Sequence, residues 1–127
     1  MPPRVMVVDD DANIRAILRY RFEKERYLVQ LANNGVDALR QVQDHRPDLI
    51  VLDLMMPEMD GVQFLSCLRG DPETEDIPVI ILTALGLNPY GERTRELGAA
   101  GLVVKPFSPR RLVEEVKEAL NGVRVIQ

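Results

Sequence analysis

Leu49-Ile50-Val51-Leu52-Asp53-Leu54-Met55-Met56-Pro57-Glu58-Met59-Asp60-Gly61 begins with four unbroken apolar residues, closes that run on a carboxylate, and turns at a proline before a helical period starts. An apolar run this short, without polar alternation, fits a strand covered by helices on both faces, as in a parallel sheet. Working outward, comparable runs stand at residues 5–8, 27–31, 79–82 and 102–104. Three of the five, 5–8, 49–52 and 79–82, are four-residue runs with no polar alternation. Between them lie stripes of helical spacing: Ile14, Ile17, Leu18 and Phe22; Ala38, Leu39 and Val42; Gly61, Phe64, Leu65 and Leu68; and Leu112, Val116, Ala119 and Leu120, with Asn121-Gly122 as the stop. The fourth helix is the weak one. Residues 88–98 offer an Asn88 cap and Pro89 at the first helical position, are interrupted by Gly91, and bury little beyond Tyr90 and Leu97. Its shortness predicts the most mobile element of the fold. Five strands alternating with five helices predict an α/β domain, a doubly wound five-stranded parallel sheet, spanning residues 1–127 as one unit.

Composition narrows the function classes. The chain has 127 residues, with 16 Lys and Arg against 20 Asp and Glu, so its net charge is −4. That acidic balance argues against direct nucleic-acid binding by this domain, which would need a basic surplus to grip phosphates. A single cysteine, Cys67, cannot form an internal bridge, and no secretory leader opens the sequence, so a reducing, cytoplasmic setting is expected. No apolar run approaches the roughly 18 to 20 residues of a membrane span, so no membrane partner is expected.

Chemistry concentrates at the carboxyl ends of the predicted strands. Asp9, Asp10 and Asp11 follow the first, Asp53 ends the third, Thr83 ends the fourth and Lys105 follows the fifth. In a parallel sheet that edge binds ligands where the strand order reverses, and an order of 2-1-3-4-5 would bring Asp9, Asp10 and Asp53 into one crevice. Three adjacent carboxylates repel unless a cation neutralises them, and oxygen donors without His or Cys suit Mg²⁺ or Mn²⁺. With an ammonium and a hydroxyl beside them, they form the surroundings a carboxylate needs to attack a phosphoryl group.

Val7-Val8-Asp9-Asp10-Asp11, Leu52-Asp53 through Asp60-Gly61, Leu82-Thr83-Ala84 and Val104-Lys105-Pro106-Phe107 together resemble the receiver domain of bacterial two-component response regulators, a flavodoxin-like fold. The resemblance covers the whole chain. It implies that Asp53 accepts a phosphoryl group from a histidine kinase or phosphotransfer protein. It further implies that Asp9, Asp10, Asp53 and the Met55 backbone carbonyl serve Mg²⁺, with Asp10 and Asp53 as direct ligands. Thr83, Ala84 and Lys105 would contact the phosphoryl group or switch on its arrival, and the bond before Pro106 would be cis. The face of the fourth helix, fifth strand and fifth helix would signal to an output partner, with homodimer formation on activation admitted. The implied protein is a phosphoacceptor that catalyses its own phosphorylation and dephosphorylation, not an enzyme acting on a separate substrate.

One departure concerns transmission: the family's aromatic switch position, three residues before the lysine, is Leu102 here. Met55 and Leu85, two residues after Asp53 and Thr83, are apolar and cannot orient an attacking water, which predicts slow dephosphorylation. Two alternatives remain. A pseudo-receiver would bind partners without phosphorylation. A haloacid-dehalogenase-type phosphatase would use Asp9-x-Asp11, though it expects Thr where Asn13 stands and leaves Asp53 without a role. Simpler readings apply to other residues: Asp11 and Asp60 as helix caps, Gly61 as a close-packing residue, Cys67 as a packing residue and His45 as a solvated cap.

Overall fold

The structure, a computed structural model, describes residues 2–56, 59–83 and 95–122. The five apolar runs are strands β1 (Arg4–Val8), β2 (Leu28–Ala32), β3 (Leu49–Asp53), β4 (Val79–Thr83) and β5 (Gly101–Val104). All neighbours pair in parallel, in the order β2-β1-β3-β4-β5 that the sequence predicts. Around the sheet the described residues form four helices rather than the expected five: α1 (Ala12–Lys24), α2 (Gly35–Asp44), α3 (Gly61–Arg69) and α4 (Pro109–Leu120). The additional helix was expected at 88–98; residues 84–94 lie outside the described residues, and with them the expectation of its mobility. Arg95 and Glu96 are helical, and the Gly98 amide closes their turn on the Arg95 carbonyl.

Alternation along each strand sends successive side chains to opposite faces. Met6, Val8, Ile50, Leu52, Val79 and Ile81 face α2 and α3, where Phe64, Leu65 and Leu68 complete one core. Val5, Val7, Leu49, Val51, Ile80 and Leu82 face α1 and α4, where Leu18, Phe22, Leu112 and Val116 complete the other. Each fully buried side chain of this size contributes about 1.5 to 3 kcal/mol, so both sheet faces must be covered. No helix among the described residues is long and apolar enough to cross a membrane.

Local chemistry sets the element ends. Asp11 caps α1 by accepting from the Asn13 and Ile14 amides, and Asp60 caps α3 in a reciprocal box with Gln63. His45 is the exposed C-cap of α2, and Asn121 with left-handed Gly122 stops α4. Two expectations fail. Cys67 is exposed rather than packed, because Leu65 and Leu68 take the buried face of α3 and leave the cysteine between them turned outward. Ile17 is 47% exposed although Leu18 beside it is buried, so the inward stripe of α1 is narrower than its apolar sequence. The second strand also starts one residue later than the run 27–31, because the Tyr27 amide closes the preceding turn on the Phe22 carbonyl.

Candidate functional site

Sheet register assembles the site. Val8 pairs with Leu52, which brings Asp9 and Asp53 level at the carboxyl ends of neighbouring strands. Asp9, Asp10 and Asp53 each offer an oxygen, all within 4.8 Å of one another; Asp9 and Asp53 are buried and Asp10 is exposed. The loop after β1 is pinned from several sides. The Asp9 amide donates to the Ala32 carbonyl, the Asp11 amide donates to Asp9 Oδ1 at 2.9 Å, and the Arg15 guanidinium donates to the Asp9 carbonyl at 2.7 Å. Asp53 is set by β3 and by the Met55 amide, which donates to its Oδ1 at 3.1 Å. Behind it, a Cβ on Gly61 would stand 2.7 Å from both the Asp53 carbonyl oxygen and Leu54 Cα, so α3 can begin this close to Asp53 only with glycine.

Lys105 comes from the opposite side, just past β5, with its amide bonded to the Thr83 carbonyl. Its ammonium lies 3.0 Å from Asp9 Oδ2 and 3.5 Å from Asp53 Oδ2. The Lys105-Pro106 peptide is cis, as the resemblance implies. Burial, then repulsion from Asp9 and more weakly Asp10, pushes the Asp53 carboxyl up to about 6, against the opposing Met55 amide and Lys105. Burial pulls the Lys105 ammonium down, but its contacts with Asp9 and Asp53 outweigh that and hold it above the ordinary lysine value. A buried carboxylate that retains this much repulsion beside an ammonium has room for further positive charge. Oxygen-only donors, two buried and one open to solvent, fit a hard divalent cation.

Thr83 ends β4, buried, next to Asp53 in sheet order. Ala84 and Leu85 lie outside the described residues. Met55 is 43% exposed beside Asp53, and Leu102 is partly buried against the core on the α2 and α3 side. Asp11, the second acid of the phosphatase-like reading, caps α1. Sequence reasoning missed two features. Arg15, a turn into α1, reaches back to the loop that carries Asp9 and Asp10. Ile14, Ile17, Phe107 and Pro109 line an apolar cleft with Lys105 and Pro106 at the edge of the site. The outward turn of Ile17 is visible only once α1 is docked.

A doubly wound parallel sheet whose carboxyl edge gathers three aspartates, a threonine and a lysine defines an α/β domain with an acidic pocket. Residues 5–117 match the response regulator receiver domain model, and the chain belongs to that family. The phosphate regulon transcriptional regulatory protein PhoB of Rhizobium meliloti is 39% identical over 98% of this chain and 55% of its own length. The polar-differentiation response regulator DivK of Brucella anthropi is 36% identical over 95% of this chain and 98% of its own. Among solved structures, the chemotaxis protein CheY4 of Vibrio cholerae superposes with a TM-score of 0.87 at 30% identity, covering 93% of this chain and 98% of that one. The chain spans about half the length of several curated relatives it matches, between 45% and 55% for three of them.

Proposed function

We propose that this receiver domain takes a phosphoryl group onto Asp53 from the phosphohistidine of a histidine kinase or phosphotransfer protein, and that the modified domain signals to an output partner on the same polypeptide or another. The observation that carries the reading is Asp53 itself, buried at a strand end between the Lys105 ammonium and the Asp9 and Asp10 carboxylates. At neutral pH it remains mostly ionised and can act as nucleophile. An Asp53 oxygen attacks phosphorus, the phosphorus–nitrogen bond of the donor breaks, and its electron pair leaves on the imidazole. A mixed anhydride forms on Asp53, and hydrolysis returns the carboxylate and inorganic phosphate.

Asp9, Asp10 and Asp53, with the Met55 carbonyl, would hold Mg²⁺ or Mn²⁺, which when bound supplies positive charge to the phosphoryl oxygens. Lys105 sits where it can leave Asp9 and pair with a phosphoryl oxygen, and Thr83 supplies a hydroxyl to another. The apolar cleft of Ile14, Ile17, Phe107 and Pro109 borders this pocket and suits the body of the donor protein. Signalling would pass through the face of β5, α4 and the segment between β4 and β5, with Leu102 standing in for an aromatic ring and the modified form free to pair with a second copy. Met55, unable to orient water, supports slow hydrolysis. A cytoplasmic setting and the absence of direct nucleic-acid binding by this domain complete the reading.

Its test is intact mass after incubation with acetyl phosphate and Mg²⁺. Wild type gains about 80 Da, lost on acid or base treatment, while Asp53→Asn and chelated wild type gain nothing. A folded wild type that never gains mass would favour the pseudo-receiver. After donor removal the adduct is expected to persist beyond about a minute.

A further inference from the structure

The opposite edge of the sheet holds a different device. Arg69, the last residue of α3, sends its guanidinium into the loops that enter β4 and β5. Its Nε donates to the Leu97 carbonyl at 2.6 Å, its Nη1 to the Ile77 and Glu75 carbonyls at 2.9 and 3.0 Å, and its Nη2 to the Gly98 carbonyl at 3.3 Å. Four backbone carbonyls from two separate chain segments thus share one planar cation. Leu97 and Gly98 follow the helical turn of Arg95 and Glu96. Gly98 sits at φ +73°, the left-handed conformation that lets the turn present its carbonyl to Arg69.

What the clamp holds is the least secured strand on this side. β4 is buried at all five positions, whereas β5 has four residues, lies at the sheet edge, and is buried only at Gly101. Apart from its ladder with β4, the backbone ties of its flanks among the described residues are the Ala100 amide to the Val79 carbonyl and the Lys105 amide to the Thr83 carbonyl, both at 2.8 Å. An edge element with few buried side chains opens at lower cost than the centre of a sheet. We propose that Arg69 is a latch: it fastens the turn at 95–98 and the entry of β5 to α3 and to the entry of β4, and makes β5, with Lys105 at its far end, a unit that opens separately from β1 and β2 at a frequency Arg69 sets. This goes beyond the phosphoryl-transfer reading and stands without it.

The test is residue-resolved hydrogen exchange on the unphosphorylated protein, for wild type, Arg69→Lys and Arg69→Gln. Lysine keeps the charge and most of the stem but cannot span four carbonyls from two segments. In Arg69→Lys, the amides of Gly98, Ala100 and Lys105 are expected to exchange at least about ten-fold faster, while those of Asp9 and Leu28 stay within about two-fold of wild type. Arg69→Gln should exaggerate the same local pattern. Acceleration spread evenly over both groups would make Arg69 an ordinary contributor to global stability and overturn the latch, as would no acceleration in Arg69→Lys.

Discussion

The two edges of this sheet solve opposite electrostatic problems. At the carboxyl edge, Asp9, Asp10 and Asp53 are crowded around one lysine, and Asp53 is left with its carboxyl pushed up to about 6. At the amino edge, one cation is distributed over four neutral carbonyls, and the charge is solvated by backbone. The first arrangement retains repulsion that a divalent cation can relieve; in the second, burial pulls the guanidinium below the ordinary arginine value and nearby Asp76 opposes it. A difference of this kind separates a site from a scaffold: both are polar and partly buried, but only the first crowds like charges together.

Breaking the amino edge should cost most. Arg69→Met strips four carbonyls of their donor, and the Gly98, Ala100 and Lys105 amides should lose roughly 3 kcal/mol of protection against hydrogen exchange, while those of Asp9 and Leu28 keep theirs to within about 0.5 kcal/mol. At the other edge, Gly61→Ala drives a methyl against the backbone of Asp53 and Leu54, for a loss of about 1 to 3 kcal/mol and a slower gain of phosphoryl mass.

The contrast sharpens with a change that stabilises. Folded Asp53 keeps its proton up to about pH 6, while the unfolded chain releases it near 3.8, so wild type loses stability as pH rises through that window and stays at the lower level above it. Without divalent cation, Asp53→Asn should therefore match wild type at the acid end of the window and exceed it above about pH 6.5. Residual solvation and Lys105 hold that gain to about 1 kcal/mol, read as melting temperature against pH. Mg²⁺ should then raise the wild-type melting temperature more than that of the variant. Smallest of all, Arg19→Ala breaks an exposed ion pair with Glu23 and should move stability by less than about 0.5 kcal/mol.

Much of the carboxyl edge was legible in the sequence because each of its residues sits at the end of an apolar run, where strand register alone carries it to the pocket. The strand order and the caps at Asp11 and Asp60 were readable for a similar local reason. Arg69 was not, since its partners lie at Glu75, Ile77, Leu97 and Gly98, and a lone arginine at a helix end has no periodic signature. The exposures of Cys67 and Ile17 were misjudged because an apolar neighbour in sequence does not fix which side of a helix docks. Arg15 was missed likewise: its reach back to the Asp9 carbonyl depends on how α1 leaves the sheet.

The central claim is that Asp53, rather than either neighbouring aspartate, becomes the acyl phosphate. Borohydride reduction of the acetyl-phosphate-treated protein, followed by peptide mass mapping, reads this directly, because reduction of an aspartyl phosphate leaves homoserine at the modified position. Homoserine is expected at position 53 alone, and only in samples that received both phosphodonor and Mg²⁺. Homoserine at position 9, 10 or 11, or a mass gain with none at 53, would contradict it.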